Sequence, residues 1–497
     1  MPRSASVGRG TGYSLDPHRR AHSDRRMRNL PRFGMWLGLG CAWLTLGNVA
    51  ATRANAEPAT AAFPGAVGFG IETPGGRGGR VLKVTNLHAA GPGSLAAAVS
   101  AKGPRIVVFE VGGVIDLDAT TLSIAEPFLT IAGQTAPSPG ITLIRGGVTI
   151  RTHDVVIQHL RVRTGDVGRA KKSGWEIDSL ATTAAWNVVI DHCSLAWGTD
   201  ENLSASGPRF AGGETAEAWR AHTSHDVTFS HCIIAEGLSQ SSHKKGEHSK
   251  GGLIHDNVRR IAIIGNLYAS NVERNPLFKG GAQGVVVNNL IDNPGRKAVH
   301  YNLWGSEWAG HPFVAGELAV VGNVLHYGPD TQPGRPLVAV DGHGVLELFA
   351  EDNLAFDREG RPVAETAVLL SRAPREKRPG LDAKDGADPD YAVRPADLQV
   401  AEVRRLPAAP VWPKNFHAKP AAEVKAAVLK NAGARPWDRD AIDARIVSQV
   451  RAGQGRIIDS QEQVGGYPRA TMTVRKLTVP AEGVDAWLAS FTPPSDE

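Results

Sequence analysis

Cysteine, methionine and aromatic residues are scarce in this sequence. Its 497 residues include 3 cysteines and 4 methionines, and aromatic side chains make up only 6%. So few cysteines exclude a small fold held together by a disulfide framework. Cys193 and Cys232 both lie in apolar, strand-like segments, where either a disulfide or two stacked core thiols would fit, and the stacked thiols are the simpler interpretation. Glycine is abundant at 56 residues, which favours a fold with many turns.

Long hydrophobic runs are also missing, apart from one near the N-terminus. A basic segment at 27–32 precedes an apolar run at 33–50, and the small-x-small sequence at 54–56 follows it. This pattern predicts a signal peptide over 1–56, with translation starting at Met27 and cleavage before Glu57. A membrane anchor is the alternative, but the run is short and a clear cleavage pattern follows it.

An excess of basic charge is absent once this leader is set aside. The leader holds nine arginines and two aspartates, which leaves 46 basic and 48 acidic residues in the remainder. Bulk charge therefore gives no support for binding to nucleic acid or to a membrane surface. If the protein binds an acidic polymer, a local basic cluster must bind it.

A degenerate repeat runs through the middle of the chain. Each copy alternates like a strand, breaks at a polar residue and resumes, in the segments VVIQHLRV (155–162), VVIDHCSL (188–195), VTFSHCII (227–234), IAIIGNLY (261–268), VVVNNLID (285–292), LAVVGNVL (318–325) and LELFAEDNLAF (346–356). We align the copies on one polar residue in each, namely His159, His192, His231, Asn266, Asn289, Asn323 and Asn353. The steps are 33, 39, 35, 23, 34 and 30 residues, and the shortest fits one coil of a β-solenoid.

The repeat predicts an all-β fold, a right-handed single-stranded parallel β-helix with a short capping helix. The recurring His and Asn predict an internal ladder of hydrogen-bonded side chains along the stack. A β-propeller is the competing repeat fold, but it needs a steadier period of about 40 residues. We expect the solenoid over 57–410, helices near 91–99 and 421–431, a loop excursion at 372–415, and a tail over 411–497 that packs on the solenoid.

Acidic residues cluster on two successive repeats. Glu176 and Asp178 are separated by one residue, so that both carboxylates would face one side if this segment is a strand. Asp200 and Glu201 follow the next repeat. Oxygen ligands at this density suit Ca²⁺, which takes six to eight of them in flexible geometry. The alternative is that these are ordinary exposed acids on solenoid turns.

Basic residues follow on the later repeats. Lys250, Arg274 and Lys279 fall in segments that should lie beside the acidic cluster, and Pro276 interrupts any regular strand between the last two. Basic side chains next to a calcium site would form a groove for a polyanion. A solvated charged face is the alternative.

Several motifs resemble those of the pectate lyases of polysaccharide lyase family one, especially a bacterial branch that opens with a phrase like the one at 63–79. The resemblance extends over about 62–470, and three motifs carry it in order: NVVIDHCSLAW (187–197), HSKGGLI (248–254) and RNPLFKGG (274–281). It implies calcium ligands at Asp178 and Asp200, with Glu176 and Glu201 as further carboxylates. It also implies that Lys250 grips a substrate carboxylate and that Arg274 takes the C5 proton.

The sequence departs from this family at two positions. Lys279 replaces a second arginine, which keeps the charge but loses the bidentate fork. Ser204 stands where the family usually has another carboxylate, and Glu201 would partly replace it. Asp191 and His192 are expected to be a buried, hydrogen-bonded structural pair.

The resemblance implies a secreted, monomeric enzyme, extracellular or periplasmic, that cleaves polygalacturonate by calcium-assisted β-elimination. Arginine is normally protonated, so either neighbouring positive charges lower its pKa or hydroxide takes the proton while Arg274 orients it. Both options predict an alkaline optimum. The rival interpretations are a lyase for esterified pectin or another polyuronate, a non-catalytic polysaccharide-binding solenoid, and a glycoside hydrolase, which would need paired acids instead of a basic centre.

Overall fold

A computed structural model describes residues 61–308, 310–369 and 401–493. The predicted leader and residues 372–400 of the predicted loop excursion lie outside the described residues. Strands of the described chain form three sheets in which each coil contributes one strand to each sheet in turn. The predicted parallel β-helix is therefore confirmed. Among the helices that the structure describes, none has both the length and the apolar character needed to cross a bilayer.

Sheet A is the longest of the three and runs along the whole described solenoid. Its eleven strands are, in stacking order, Arg80–Val84, Arg105–Phe109, Leu129–Ala132, His153–Gln158, Trp186–Asp191, His225–Ser230, Arg259–Ile264, Gln283–Val287, Gly316–Val321, Val345–Glu351 and Glu402–Arg405. The last of these corrects the prediction of a loop over 372–415, because this short segment pairs in parallel with the strand Val345–Glu351.

Sheets B and C complete each coil. The nine strands of sheet B are Thr121–Ile124, Gly147–Ile150, Leu180–Thr183, Glu201–Ser206, Lys250–Ile254, Leu277–Lys279, Val299–Leu303, Val338–Gly342 and Thr366–Val368. The ten strands of sheet C are Val111–Asp116, Ile141–Ile144, Leu160–Arg163, Ser194–Ala196, Ile233–Ala235, Leu267–Ala269, Leu290–Asp292, Val324–His326, Leu354–Phe356 and the antiparallel Thr473–Val474.

Helices lie at the ends and on the outside of the solenoid. They are α1 (Leu95–Val99), α2 (Ala216–His222), α3 (Ala421–Asn431), α4 (Ala441–Ala452) and α5 (Val484–Ala489), with 3₁₀ turns at Gly133–Thr135, Gly305–Glu307 and Gln461–Val464. The predicted helices near 91–99 and at 421–431 are both present.

Stacked β-branched side chains fill the inside of the coils. Val188 pairs in register with Val227, and Val227 pairs with Ile261, and all three are fully buried in one continuous core. In a single coil this apolar row would be exposed to water on both sides. Each coil is therefore stabilised when its apolar side chains are buried against those of the neighbouring coils.

The corner between sheets A and C turns at one residue per coil. This residue adopts a left-handed conformation, with φ of 47° at His192, 51° at His231, 67° at Gly265, 54° at Asn288 and 63° at Gly322. Glycine and asparagine adopt this region at low cost, and histidine is enriched in it. The histidines of the repeat therefore occupy the corner and not the interior.

In the early coils, the residue that faces the internal ladder is therefore the one after the histidine that the sequence alignment selected. Asn266, Asn289, Asn323 and Asn353 form it, with amide-to-amide hydrogen bonds of 3.0, 3.0 and 3.1 Å. The backbone N–H of Cys232 donates to Asn266 Oδ1 at 2.8 Å, so the buried free thiol of Cys232 continues the row. Placing His159, His192 and His231 in the ladder was wrong, because the corner rotates their side chains outward.

The C-terminal helices pack on sheet C. Apolar side chains of α3 and α4 form one cluster with residues of that sheet, among them Ile233 and Leu267. Arg161 and Arg163 project from the strand Leu160–Arg163 and both contact Asp443 in α4, and all three side chains are buried. Sheet B also has a helix beside it, because Trp219 of α2 packs in one cluster with Leu303 and Trp308.

Candidate active site

The predicted site residues meet along sheet B, where strands of successive coils begin. Glu201 and Lys250 are the first residues of neighbouring strands and pair in register. Lys250 forms a parallel bridge with Glu273, and Arg274 comes next in the chain. Because these strands are parallel and in register, three successive coils place their charged side chains next to each other.

The glycine pair of the HSKGGLI motif allows the next coil to approach closely. A Cβ atom at Gly251 would lie 2.5 Å from the carbonyl oxygen of Arg274 and 2.7 Å from Asn275 Oδ1. The N–H of Gly252 donates to that same carbonyl oxygen of Arg274. Any side chain at position 251 would therefore displace the backbone that carries Arg274.

Three of the four predicted metal ligands form a carboxylate cluster. Asp178, Asp200 and Glu201 each offer an oxygen within 4.8 Å of the others. The N–H of Glu201 donates to Asp178 Oδ1 at 3.0 Å, and the hydroxyl of Ser204 donates to Asp178 Oδ2. Ser204 therefore orients a carboxylate at the position where a further acid would have added negative charge.

Burial and mutual repulsion raise the pKa values of two carboxyl groups in this cluster. Burial, followed by the charge of Asp200, raises the pKa of Asp178 to about 6. The same two causes raise the pKa of Glu201 well above its usual range, against the opposing effect of Arg274. Three close carboxylates with hard oxygen atoms and unfavourable mutual repulsion fit a divalent cation such as Ca²⁺.

Glu176 lies outside this cluster. Its two carboxylate oxygens accept hydrogen bonds from the backbone N–H and the side chain of Lys244, each at 3.0 Å. The segment 176–178 is not a strand, so the prediction that alternation directs Glu176 and Asp178 to one side is wrong. The sheet B strand begins only at Leu180.

Each predicted basic residue forms an ion pair with a carboxylate. Arg274 donates to Glu201, and Lys250 donates to Glu273. Burial acts to lower the pKa of Arg274, but the charges of Glu201 and Glu273 outweigh it and raise that pKa above its usual value. The expectation that Ca²⁺ and two lysines together lower the pKa of Arg274 stays a prediction.

Lys279 is paired in the same way. Its Nζ contacts Glu307 and lies 3.7 Å from Asp256 Oδ2, and Arg209 bonds to both of these carboxylates. Two basic residues thus share two acidic residues beside the end of the strand Leu277–Lys279. A polyanionic ligand would have to exchange for these carboxylates when it binds the lysines.

The sequence interpretation missed the acidic partners and two histidines. Glu273 directly precedes the RNPLFKGG motif, whereas Glu307 comes from a 3₁₀ turn with no recognisable signal. His243 and His248 contact Asp200 from the excursion that precedes the strand Lys250–Ile254. Only His248 fell within a quoted motif.

Asp191 and His192 lie away from this site, at the corner between sheets A and C. His192 Nδ1 is 2.7 Å from Asp191 Oδ2, and His231 Nδ1 is 3.1 Å from Asp191 Oδ1. The predicted hydrogen bond is present, but only Asp191 is buried, since the side chain of His192 is 23% exposed. A structural role for the pair stays a prediction.

Comparison with known proteins gives relatives of one kind. No protein-family model matches the chain. A probable pectate lyase C of Aspergillus flavus is 37% identical over 418 residues, which is 82% of each chain. The protein of the same name in Aspergillus fumigatus is 30% identical over 425 residues, covering 84% of this chain and 83% of its own. The match to the one in Aspergillus terreus, at 36% identity, covers 55% of that protein.

Solved structures with a similar chain path include the major allergen of cedar pollen and pectate lyase II of Xanthomonas campestris. The first is 16% identical with a TM-score of 0.44, covering 74% of this chain and 92% of that chain. The second is 14% identical with a TM-score of 0.39, covering 76% and 100%.

The curated relatives named here are fungal, so the narrower resemblance to a bacterial branch stays a prediction. Their identity and coverage are sufficient to assign the family. The chain belongs to the pectate lyase family, a family of polysaccharide lyases.

Proposed function

We propose that this protein is a secreted, calcium-assisted pectate lyase that cleaves α-1,4-polygalacturonate by β-elimination and releases unsaturated oligogalacturonides. One observation carries the proposal: the carboxylate cluster of Asp178, Asp200 and Glu201 lies directly beside Arg274, which bonds to one of its members. A cation site beside a basic side chain fits a uronate chain, which carries carboxylates that both can bind.

β-Elimination on a uronate requires removal of the C5 proton, cleavage of the C4–O bond and formation of a C4–C5 double bond. Bound Ca²⁺ would hold a substrate carboxylate and withdraw electron density from C5, which makes the C5 proton more acidic. Asp178, Asp200 and Glu201 would hold the ion, and Glu176 is bonded to Lys244 and contributes charge from a distance.

Arg274 is proposed as the acceptor of the C5 proton. In its ion pair with Glu201 the guanidinium is protonated and cannot accept a proton. It can accept the C5 proton only as a neutral guanidine, which requires that Glu201 turns away and that the guanidinium first gives one proton to solvent hydroxide. The alternative role, in which Arg274 orients a hydroxide that takes the proton, also needs this pair to open.

Lys250 and Lys279 are proposed to bind substrate carboxylates. Both are largely buried and both are paired with acids, so each would exchange a protein carboxylate for a substrate carboxylate when substrate binds. Esterified pectin carries no such charge. We therefore expect de-esterified chains to be preferred.

Secretion is proposed from the leader pattern at 1–56. The near-neutral charge of the remaining chain supports the proposal that the processed protein binds no nucleic acid and no membrane. A monomer is proposed with it. N-terminal sequencing of the exported protein should begin at Glu57.

Product mass tests the reaction type. At each cleavage, elimination leaves a C4–C5 double bond on the fragment with the new non-reducing end, which therefore lacks one water relative to the corresponding product of hydrolysis. The fragment that keeps the original non-reducing end has the ordinary mass. Mass spectrometry of polygalacturonate digests should therefore show that internal and reducing-end fragments lack one water. Digests in which no fragment lacks a water would indicate a glycoside hydrolase, and an undigested chain that is retained by the protein would indicate a binding solenoid.

A further inference from the structure

Two buried histidines lie beside one carboxylate oxygen of Asp200. His248 Nε2 lies 2.7 Å from Asp200 Oδ1, and His243 Nε2 lies 3.6 Å from the same atom. The two imidazoles stack with their centroids 3.7 Å apart and an interplanar angle of 8°, and they are only 2% and 3% exposed. His248 is thus within hydrogen-bond distance of Oδ1, and His243 lies behind it as a more distant polar contact to the same oxygen of the proposed cation site.

A tight hairpin fixes the position of the histidines. Gln240 and Glu247 form an antiparallel bridge, and the N–H of His248 donates to the carbonyl oxygen of Ser239 at 3.0 Å. Between them, the N–H of Gly246 donates to the carbonyl oxygen of His243 at 3.0 Å. The excursion between the strands Ile233–Ala235 and Lys250–Ile254 is therefore a rigid support, which a preorganised site requires.

The proton positions follow from the hydrogen bonds. The backbone N–H of Lys245 donates to His243 Nδ1 at 3.1 Å, so the neutral ring carries its proton on Nε2, the atom that faces Asp200. A transition metal needs an unprotonated ring nitrogen, and Nε2 of His243 does not supply one in this tautomer. In this tautomer His243 directs its Nε2 proton toward Asp200 and offers no ring nitrogen to a metal there.

We propose that His243 and His248 are positioning residues for the cation site, which they serve by anchoring Oδ1 of Asp200. Both contacts go to Oδ1, which leaves Oδ2 to a cation shared with Asp178 and Glu201. This inference rests on the proposed function, because it assumes that the cluster binds Ca²⁺. Groups that orient a ligand in this way are worth about 10- to 100-fold in metal affinity.

Calorimetric titration of the mature protein with Ca²⁺, without substrate, tests the inference. His248→Phe keeps the stacked ring and removes the donor, and its dissociation constant should rise about 10- to 100-fold. His248→Gln places an amide N–H near the position of Nε2 and should restore most of the affinity. His300→Phe is the control, because His300 is an equally buried histidine on sheet B that pairs with Asp341 instead. It should bind Ca²⁺ like the wild type.

The calorimetric results distinguish a failure of this inference from a failure of the proposed function. Wild-type affinity in His248→Phe would overturn the inference, and so would a Gln variant as weak as the Phe variant, since packing and not hydrogen bonding would then be responsible. His243→Phe, a second variant that does not depend on the folding of the first, should also weaken binding, and unchanged affinity would count against the inference. A wild-type protein that binds no Ca²⁺ at all would overturn the calcium part of the proposed function as well.

Discussion

Glu201 is shared between two functions of the site. Its carboxylate accepts a hydrogen bond from Arg274, which follows on a later coil, and it also belongs to the carboxylate cluster with Asp178 and Asp200. One carboxylate cannot fully serve a guanidinium and a divalent cation at the same time. Cation binding and release of Arg274 are therefore linked by this one side chain.

This link predicts that Arg274 weakens Ca²⁺ binding. Arg274→Met should tighten it about tenfold, because it removes both a competitor for Glu201 and a nearby positive charge. Lys250→Met removes a comparable charge on the neighbouring strand, but its partner is Glu273 and not Glu201. Titration calorimetry should show a clearly smaller gain for Lys250→Met. Equal gains would mean that general charge, and not competition for Glu201, sets the affinity.

Replacing Arg274 by lysine tests its part in proton removal. Turnover should fall about 10²- to 10⁴-fold, the range that a positioned proton-transfer group contributes. The midpoint of thermal unfolding should change little, because lysine can keep the ion pair with Glu201. Arg260→Lys on sheet A, where the arginine pairs with Asp226, is the matched control and should leave turnover unchanged. Near-normal turnover of Arg274→Lys would remove Arg274 from the proposed role.

The buried ion pairs between sheet C and α4 predict a large effect on stability. Asp443 contacts both Arg161 and Arg163 and accepts a hydrogen bond from Ser194 at 2.7 Å. Asp443→Ala should reduce the free energy of unfolding by about 3–5 kcal/mol, because two buried guanidinium groups lose their fully buried partner and keep only Asp440, at 3.3 and 3.8 Å. Denaturant titration measures this, and a loss below about 1 kcal/mol, typical of an exposed pair, would contradict the account.

Asp292 predicts a pH dependence of stability. Burial raises the pKa of this carboxyl from 3.8 to about 7, and its Oδ2 has no hydrogen-bond partner in the part of the chain that the structure describes. The folded state thus binds more protons than the unfolded state between these two values, so stability falls as pH rises from about 4 to about 7. The full effect is about 4 kcal/mol at most, since one pKa unit corresponds to about 1.4 kcal/mol.

Asp292→Asn should remove this dependence. The free energy of unfolding of the variant, relative to the wild type, should increase with pH between 4 and 7 and then level off. Asp226→Asn is a control of opposite sign. Burial acts to raise the pKa of Asp226, but hydrogen bonds from His225 and Arg260 lower it, so the loss of this carboxylate should cost more at higher pH. If the free energies of unfolding of Asp292→Asn and wild type differed by the same amount at every pH, the raised pKa of Asp292 would be contradicted.

The fold was largely predictable from the sequence, because a repeated alternation of β-branched residues depends only on local geometry. Asn266 and Asn289 were placed correctly in the ladder for the same reason. The histidines were misplaced because a polar residue at the break of a strand fits both a ladder and a left-handed corner, and only the three-dimensional register distinguishes them. Cys232 continues the row because its backbone N–H bonds to Asn266.

The candidate site was less predictable. Motifs located Lys250 and Arg274, but their pairing with Glu273 and Glu201 depends on which residues lie side by side on neighbouring coils. His243 contacts Asp200 from an excursion of the chain, and no spacing rule relates two residues across such an insertion. The partners of charged side chains are set by the register of coils and by inserted loops, neither of which a periodic pattern records.

The central claim is that a cation held beside Arg274 supports elimination on de-esterified polygalacturonate. The most direct measurement is the ultraviolet absorbance of the unsaturated uronate, followed at alkaline pH with mature protein, first in chelator and then after Ca²⁺ is restored. The account predicts no rise in chelator and a steady rise once Ca²⁺ is added. An equal rise in chelator, or no rise under either condition, would contradict it.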